Sequence, residues 1–384
     1  MKTLRRGLIP VVLCFFAMGF VDSVGIASNY IKADLSLSDT QASLFLSLAF
    51  IWFLLFSVPT GILMNHIGRR KTVLISLILT IVALPLPLFG NSYGIMLTTF
   101  SLLGIGNTLM QVSLNPLLST LVRGNKVASS LTFGQFIKAI SSFLAPYLIM
   151  WGAVGTLPSF GLGWRVLFLV YLIIGALIFL WLAFTPIEEE KTDVASGFKD
   201  CFSLLRKPFI ALSFIGVVCL VGLDVGISSA APKILMERLG FTLDEAGFAT
   251  SLYFLFRIGG CLLGAFLLQR IAAKVFFLIS IAMILIALTG LLYTTSETLL
   301  YTCIALIGLG NANIFPIIFS QAITILPQKK NEISGLMITA VFGGALFPLL
   351  MGIASDQIGQ IGAVAVMIMG ALYLLLYSSR LRSN

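Results

Sequence analysis

The sequence predicts an all-α membrane protein of twelve transmembrane helices in two pseudo-symmetric six-helix bundles. Three observations point there. Hydrophobic residues fill 59% of 384 positions and charged ones only 10%, against about 25% charged in an average soluble domain. The apolar residues gather into twelve runs, each near the ~20 residues that cross a hydrocarbon core as a helix. Basic residues sort by side. Of 24 Lys and Arg, 18 fall on the side of the N-terminus, four (Lys32, Arg165, Lys233, Arg238) on the other and two within runs. That asymmetry is the positive-inside pattern and places both termini in the cytoplasm. It also accounts for the net charge of +9 without invoking nucleic acid. A membrane barrel would show short alternating segments instead of long continuous runs.

Taken in order, the first run, 7–31, follows Lys2, Arg5 and Arg6 and carries Asp22. It is too long for a signal h-region and no small-residue cleavage site follows it, so it is read as the first span. The second, 41–65, ends at Asn65 and His66, and Arg69, Arg70 and Lys71 separate it from the third, 72–90. The fourth, 95–122, has Asn107, Gln111 and Asn115 at intervals of four, hence on one helix face, with Pro116 beside them. The fifth, 128–152, likewise sets Gln135, Lys138 and Ser142 on one face, at i, i+3 and i+7. The sixth is 164–185.

The longest polar stretch, Glu188 to Lys207, then divides the chain into halves, 1–187 and 208–384. The seventh run, 208–232, holds Asp224 and Ser228, the eighth, 246–269, Tyr253 and Arg257, and the ninth is 275–294. The tenth, 298–325, carries Asn311, Asn313, Phe315 and Pro316; the eleventh, 333–355, Gly343, Gly344 and Pro348; the twelfth is 361–379. A shift of about 200 residues sets Asp22 on Asp224, and Gln111 and Pro116 on Asn311 and Pro316. Internal six-span repeats of this kind are common in secondary transporters, which bind solute near the midplane.

The stretch Gly61-Ile62-Leu63-Met64-Asn65-His66-Ile67-Gly68-Arg69-Arg70-Lys71 resembles the loop 2–3 signature of the major facilitator superfamily, with Asn65 where that family has Asp. By that resemblance Gly61, Asn65, Gly68, Arg69 and Arg70 form its conformational motif. Within the superfamily the chain is most similar to the fucose permease-like sugar/proton symporters. The similarity lies in Gly106 through Asn115-Pro116, Gln135, Asn311-Ala312-Asn313-Ile314-Phe315-Pro316 and Gly343-Gly344-Ala345 with Pro348. It departs at Gln111, where that branch often has a carboxylate, and at Asp22, about one turn from the branch's own. The resemblance implies alternating access and proton-driven import of a sugar.

The residues themselves indicate where the chemistry lies. Asp22, Lys138, Asp224 and Arg257 are the charged groups set deep inside runs, away from their ends, and a charge at the bilayer centre costs about 2.5–3.5 kcal/mol on insertion scales. Two acids and two bases suggest the pairs Asp22–Lys138 and Asp224–Arg257. Asp22 and Asp224 are the candidate proton-coupling groups. Candidate solute-binding residues are Asn107, Gln111, Asn115, Gln135, Lys138, Arg257, Asn311 and Asn313, since amides both donate to and accept from hydroxyls. Lys138 and Arg257 would also suit a sugar acid. Tyr253 and Phe315 are read first as core, with sugar stacking second. Trp52, Trp151 and Trp164 lie in or near run ends, as interfacial anchors do. The five cysteines lack metal-ligand spacing and read as small packing residues.

No Walker loop is present to draw on ATP, and a single histidine gives a membrane enzyme little to work with. A drug or metabolite antiporter, the alternative reading, usually carries a Gly-Pro motif in its fifth helix, where this chain reads Ser142-Phe143-Leu144-Ala145-Pro146. A membrane sensor on a transporter fold is the other. The expectation is thus an inner-membrane symporter acting as a monomer. Its partners are a small solute such as a sugar, a proton and lipid, with no nucleic acid, cofactor or metal.

Overall fold

A computed structural model describes residues 2–37, 39–122, 126–155, 160–187, 189, 197–241, 246 and 248–382. A few side chains inside helices, that of Asp22 among them, lie outside this description. So do residues 190–196 of the polar stretch between the halves, and the loop 242–245.

Every regular element among the described residues is helical. Among the described residues, ten helices are long and apolar enough to cross a membrane, and two shorter apolar stretches, Gly7–Val21 and Ile51–Ile67, bring the apolar segments to the twelve expected. Their outward faces are oily: Leu177, Ile286 and Leu376 are 61%, 69% and 73% exposed. So much exposed apolar surface suits lipid as the surrounding solvent.

The first apolar run is α1 (Lys2–Met18) and α2 (Val24–Leu35) with a 3-10 segment, Gly19–Ser23, between them. Then follow α3 (Asp39–Ile67), α4 (Arg69–Ala83), α5 (Leu86–Phe89), α6 (Tyr93–Leu121), α7 (Lys126–Val154), α8 (Val166–Phe184) and the short α9 (Phe198–Ser203). The second half contains α10 (Pro208–Leu239), α11 (Phe248–Leu267), α12 (Ala273–Tyr293), α13 (Glu297–Asn311), α14 (Ile314–Ile325), α15 (Lys330–Thr339), α16 (Gly343–Ile358) and α17 (Gln360–Ser378). Two boundaries run past the apolar pattern. Pro232 does not stop α10, which continues to Gly240, whose left-handed φ of 69° closes it. Lys330 and Glu332 already belong to α15.

Two compact units result. One comprises Met1–Arg123, Gly134–Cys201 and Gln328–Thr339; the other Gly124–Phe133, Phe202–Pro327 and Ala340–Asn384. In the first, Phe20 stacks on Tyr171 with centroids 4.0 Å apart, and α4, α6 and α3 pack closely. Its stretch of α15 lies on α3 at a contact that leaves no room for side chains. A methyl group at Gly61 would stand 2.8 Å from the Asn331 carbonyl oxygen, and one at Gly335 2.7 Å from that of Ser57. In the second unit α10 packs against α11, α16 and α17, around buried Ile227, Ile234, Ile284, Phe319 and Tyr377.

Prolines shape the spans. Each removes an N–H that would have bonded the carbonyl four residues earlier, and in hydrocarbon that oxygen needs another donor. Pro116 frees the Val112 oxygen, which accepts from Ser334 Oγ at 2.5 Å. Pro232 frees that of Ser228, which accepts from Thr250 Oγ1 at 3.0 Å. Pro316 frees that of Ala312, which the Cys261 thiol approaches at 3.6 Å. The repeat mates Pro116 and Pro316 therefore share a solution built from different residues. At the second, the backbone leaves the α-helix between α13 and α14, and Asn313 Nδ2 ties the break to the Gly260 carbonyl at 2.9 Å.

Two tryptophans differ from the expectation of interfacial anchors. Trp52 lies in the middle of α3. Trp164 is buried and its indole N–H donates to Asp34 Oδ2 at 2.9 Å, an acceptor that the apolar pattern did not reveal.

Candidate functional site

In the second unit, α10 carries Asp224, and one face of α11 carries Tyr253 and Arg257, one turn apart. Arg257 Nη1 meets Asp224 Oδ2 at 2.8 Å. The Tyr253 hydroxyl donates to the other carboxylate oxygen, Oδ1, and itself accepts from Asn311 Nδ2 at 3.0 Å. Asn311 arrives from the last residue of α13, where the break in that span turns it toward α11. Close approach of the two helices makes this possible, for a methyl at Gly308 would lie 2.6 Å from the Tyr253 carbonyl oxygen.

The four residues differ sharply in exposure. Tyr253 is fully buried and Asn311 nearly so, whereas the Arg257 and Asp224 side chains are 34% and 18% exposed. The charged pair therefore faces an accessible space while its uncharged supports are fixed in the protein. Asn311 Oδ1 is buried with no hydrogen-bond partner. Such an acceptor costs about 1–3 kcal/mol unless a donor reaches it. Sequence reasoning paired Asp224 with Arg257 and named Asn311, but read Tyr253 as core. The i, i+4 spacing of Tyr253 and Arg257 was the signal for a shared role.

In the first unit, Asn107 is buried and neither atom of its amide has a partner. It borders a cavity of about 10 Å³ lined by Met18, Phe20 and Val21 of the interrupted first span, Thr80 of α4 and Met110 of α6. That is about the space of one water molecule. Asn115, on the same face, donates to the Gln111 carbonyl at 3.0 Å and leaves its own Oδ1 unpartnered. Gln111, Gln135 and Lys138 are half-buried. A methyl at Gly19 would stand 2.7 Å from the Lys138 carbonyl oxygen, so the 3-10 segment that includes Asp22 is pressed directly on α7. The Asp22 side chain lies outside the described residues, and with it the expected pairing with Lys138.

The loop 2–3 motif recruits residues that sequence reasoning missed. Gly68, at φ +90°, turns the chain into α4, and the Glu189 carboxylate accepts from the Arg69 and Arg70 amides at 2.6 and 2.8 Å. A carboxylate at a helix N-terminus is favoured by the unpaired N–H groups and the dipole there. Arg70 donates to the Leu182 and Ala183 carbonyls. Asn65 Nδ2 donates to Glu332 Oε1 at 3.1 Å, Asn331 Nδ2 to Asn65 Oδ1 at 2.7 Å, and Arg69 Nε to Asn331 Oδ1 at 2.7 Å. Glu332 is fully buried at its side chain and paired with Lys329 at 3.2 Å. The amide at position 65 thus has its carboxylate partner on α15. Nearby Cys201 has its thiol pushed up to about 11, chiefly by burial and secondarily by Glu332.

Comparison with known proteins gives a consistent set of likenesses. The Major Facilitator Superfamily model matches residues 11–228 and again 214–382. A "Glucose/galactose transporter" of Brucella abortus biovar 1 (strain 9-941) is 26% identical over 380 residues, covering 93% of this chain and 90% of that one. A "Putative glucose/galactose transporter" of Helicobacter pylori strain J99 is 26% identical over 385 residues, again with 93% and 90% covered. Among solved structures, the transporter FucP in the outward conformation superposes with a TM-score of 0.82 at 18% identity, over 99% of this chain and 100% of its own.

Proposed function

Because the chain belongs to the major facilitator superfamily, we propose that it is a secondary transporter importing a monosaccharide or sugar derivative together with protons, by alternating access. The observation that carries this reading is the Asp224–Arg257 pair, partly exposed and braced from behind by Tyr253 and Asn311. A pair with a purely structural role has little reason to persist in a span, since apolar residues of similar volume are often as stable or more so. A carboxylate that changes protonation during a cycle has such a reason. The named relatives supply the solute class: glucose and galactose are the first candidates.

In this reading Asp22 and Asp224 are the coupling carboxylates, one in each half of the repeat. Lys138 and Arg257 are their counter-charges. The amides of Asn107, Gln111, Asn115, Gln135, Asn311 and Asn313 provide solute contacts. The unpartnered amide atoms of Asn107, Asn115 and Asn311 support that role, because hydroxyls both donate and accept. Gly61, Asn65, Gly68, Arg69 and Arg70 hold the loop 2–3 motif in register. The protein acts as a monomer in a bacterial inner membrane; its distribution of Lys and Arg supports a topology with both termini cytoplasmic.

The test is direct proton movement. Adding glucose or galactose to weakly buffered vesicles containing the protein should make the outer medium more alkaline as solute enters. Solute entry with no accompanying proton movement would rule out proton symport.

A further inference from the structure

We propose that Tyr253 is the residue through which the solute senses a proton on Asp224. Loading that proton reverses the hydrogen bonds joining Asp224, Tyr253 and Asn311, and the Asn311 amide then offers the solute a donor in place of an acceptor. Resting on the transport reading above, this role adds how proton and solute are tied together. The two carboxylate oxygens of Asp224 have different partners: Oδ1 accepts from the Tyr253 hydroxyl, and Oδ2 meets Arg257 Nη1. A guanidinium only donates, whereas a phenolic hydroxyl both donates and accepts. A proton on Oδ2 would point at a donor. A proton on Oδ1 finds an acceptor in Tyr253 once that hydroxyl turns. The carboxyl therefore loads at Oδ1, and Arg257 keeps its bond to Oδ2 in both states.

The reversal does not stop at Tyr253. While Asp224 is charged, the Tyr253 oxygen accepts from Asn311 Nδ2 at 3.0 Å. With its proton turned away from Asp224 the hydroxyl needs an acceptor, since Tyr253 is fully buried and an unmet buried donor is costly. Asn311 Oδ1 is buried and has no hydrogen-bond partner. Turning the amide about its last bond brings Oδ1 onto the Tyr253 hydroxyl and puts Nδ2 where Oδ1 stood. The free atom of Asn311 is thus an acceptor when Asp224 is charged and a donor when it is protonated. That atom is buried in this conformation, so its contact with solute belongs to the enclosed state, the step at which transport must sense both ligands.

The switch also selects the solute atom. A hydroxyl suits a donor or an acceptor equally and would not distinguish the two states. An oxygen that carries no hydrogen suits only the donor, and in an aldopyranose that oxygen is the one in the ring. When the proton returns to water, the chain of bonds regains its first polarity and the contact is lost.

Among the described residues, the ionisable groups facing Asp224 are Tyr253 and Arg257, both from α11. The Cys261 thiol of that helix turns to the Ala312 carbonyl. From α13 comes the neutral Asn311, and Glu297 lies at the other end of that helix, about four turns away. Neither α14 nor the 3-10 segment Ala340–Phe342 carries a charged residue. On α17, Tyr373 and Tyr377 bond at Leu212 and Ser213, about three turns of α10 away. Asp356 of α16 is exposed, beyond the point where Met351 meets Gly226. Arg206 precedes α10, and Lys233, Glu237 and Arg238 lie at its far end.

The experiment measures binding of D-glucose and D-galactose to the whole protein in nanodiscs, from mildly alkaline to mildly acidic pH. The carbocyclic analogue of D-glucose, which keeps the hydroxyls and has a methylene for the ring oxygen, is measured beside them. Both sugars should bind about two- to tenfold more tightly as Asp224 takes up its proton, the worth of one hydrogen bond, and the analogue should show no such gain. Tyr253→Phe should bind the sugars with one affinity at every pH. Its Asp224 should still take up a proton, seen as a carboxyl C=O stretch in the infrared that Asp224→Asn lacks. Should Tyr253→Phe fail to fold, Asn311→Ala, which removes the turning amide and keeps the tyrosine, carries the same expectation. Native pH dependence retained in either variant, or shown by the analogue, would overturn the switch and leave the transport reading standing. Failure of both sugars to bind at any pH, with the protein folded, would overturn both.

Discussion

At the scale of single residues, the structure separates groups that hold charge from groups that hold geometry. Asp224 and Arg257 are coupled at 2.8 Å, so removing either breaks that ion pair. Arg257→Met or Asp224→Asn alone should each destabilise the protein by up to ~2 kcal/mol, reduced from the deeply buried case because both side chains are partly exposed. The double variant should recover much of that loss, and thermal melts of the four proteins in detergent measure the coupling. Additive losses would mean that the pair does not act as a unit. A second residue prediction concerns Cys201, whose thiol is buried and pushed up to about 11. The thiolate is the reactive form, so below pH 9 the native protein should resist alkylation there and react only once unfolded. Rapid labelling at neutral pH would contradict the burial.

At the scale of elements, prolines inside spans are sustained by donors borrowed from neighbouring helices. Ser334, Thr250 and Cys261 each supply a donor to a carbonyl that a proline has left free. Ser334→Ala should cost about 0.5–1.5 kcal/mol by leaving the Val112 oxygen unpaired. Pro116→Ala in the same chain should offset the loss, because the helix then supplies its own N–H. Equal melting of Ser334→Ala and the native protein would show that the bond adds nothing. The contact between α3 and α15 gives a further expectation. Gly61→Val should disrupt the packing against Asn331, since even a methyl would approach to 2.8 Å, and so loosen the Asn65–Glu332 and Arg69–Asn331 bonds. Increased proteolysis near Lys329 in the variant measures this.

At the scale of the whole molecule, the fold was legible because its cause is written continuously along the chain. Twelve apolar runs and a one-sided basic distribution are properties of sequence alone, and lipid permits few ways to satisfy them. The repeat was legible for the same reason, through Pro116 and Pro316. The site was legible only in part. Intramembrane charges and amides stand out against hydrocarbon, which is how Asp224, Arg257 and Asn311 were found. Tyr253 did not, because an aromatic residue in a span is ordinary and its hydroxyl acquires meaning only when α10 and α13 are placed beside it. Glu189, Asn331 and Glu332 were missed for a related reason. They lie in polar segments where charge is expected, and their partners are more than 100 residues away.

The central claim is that solute movement is tied to a proton through an intramembrane carboxylate. Equilibrium exchange and gradient-driven accumulation of labelled solute, measured side by side for Asp224→Asn in liposomes, test it most directly. The native protein should concentrate solute under an inside-alkaline gradient and lose that ability when a protonophore is added. The variant should still exchange solute across the membrane yet fail to concentrate it. If Asp224→Asn accumulates solute under the proton gradient as the native protein does, the carboxylate at 224 is not the coupling group and the account of this site is wrong.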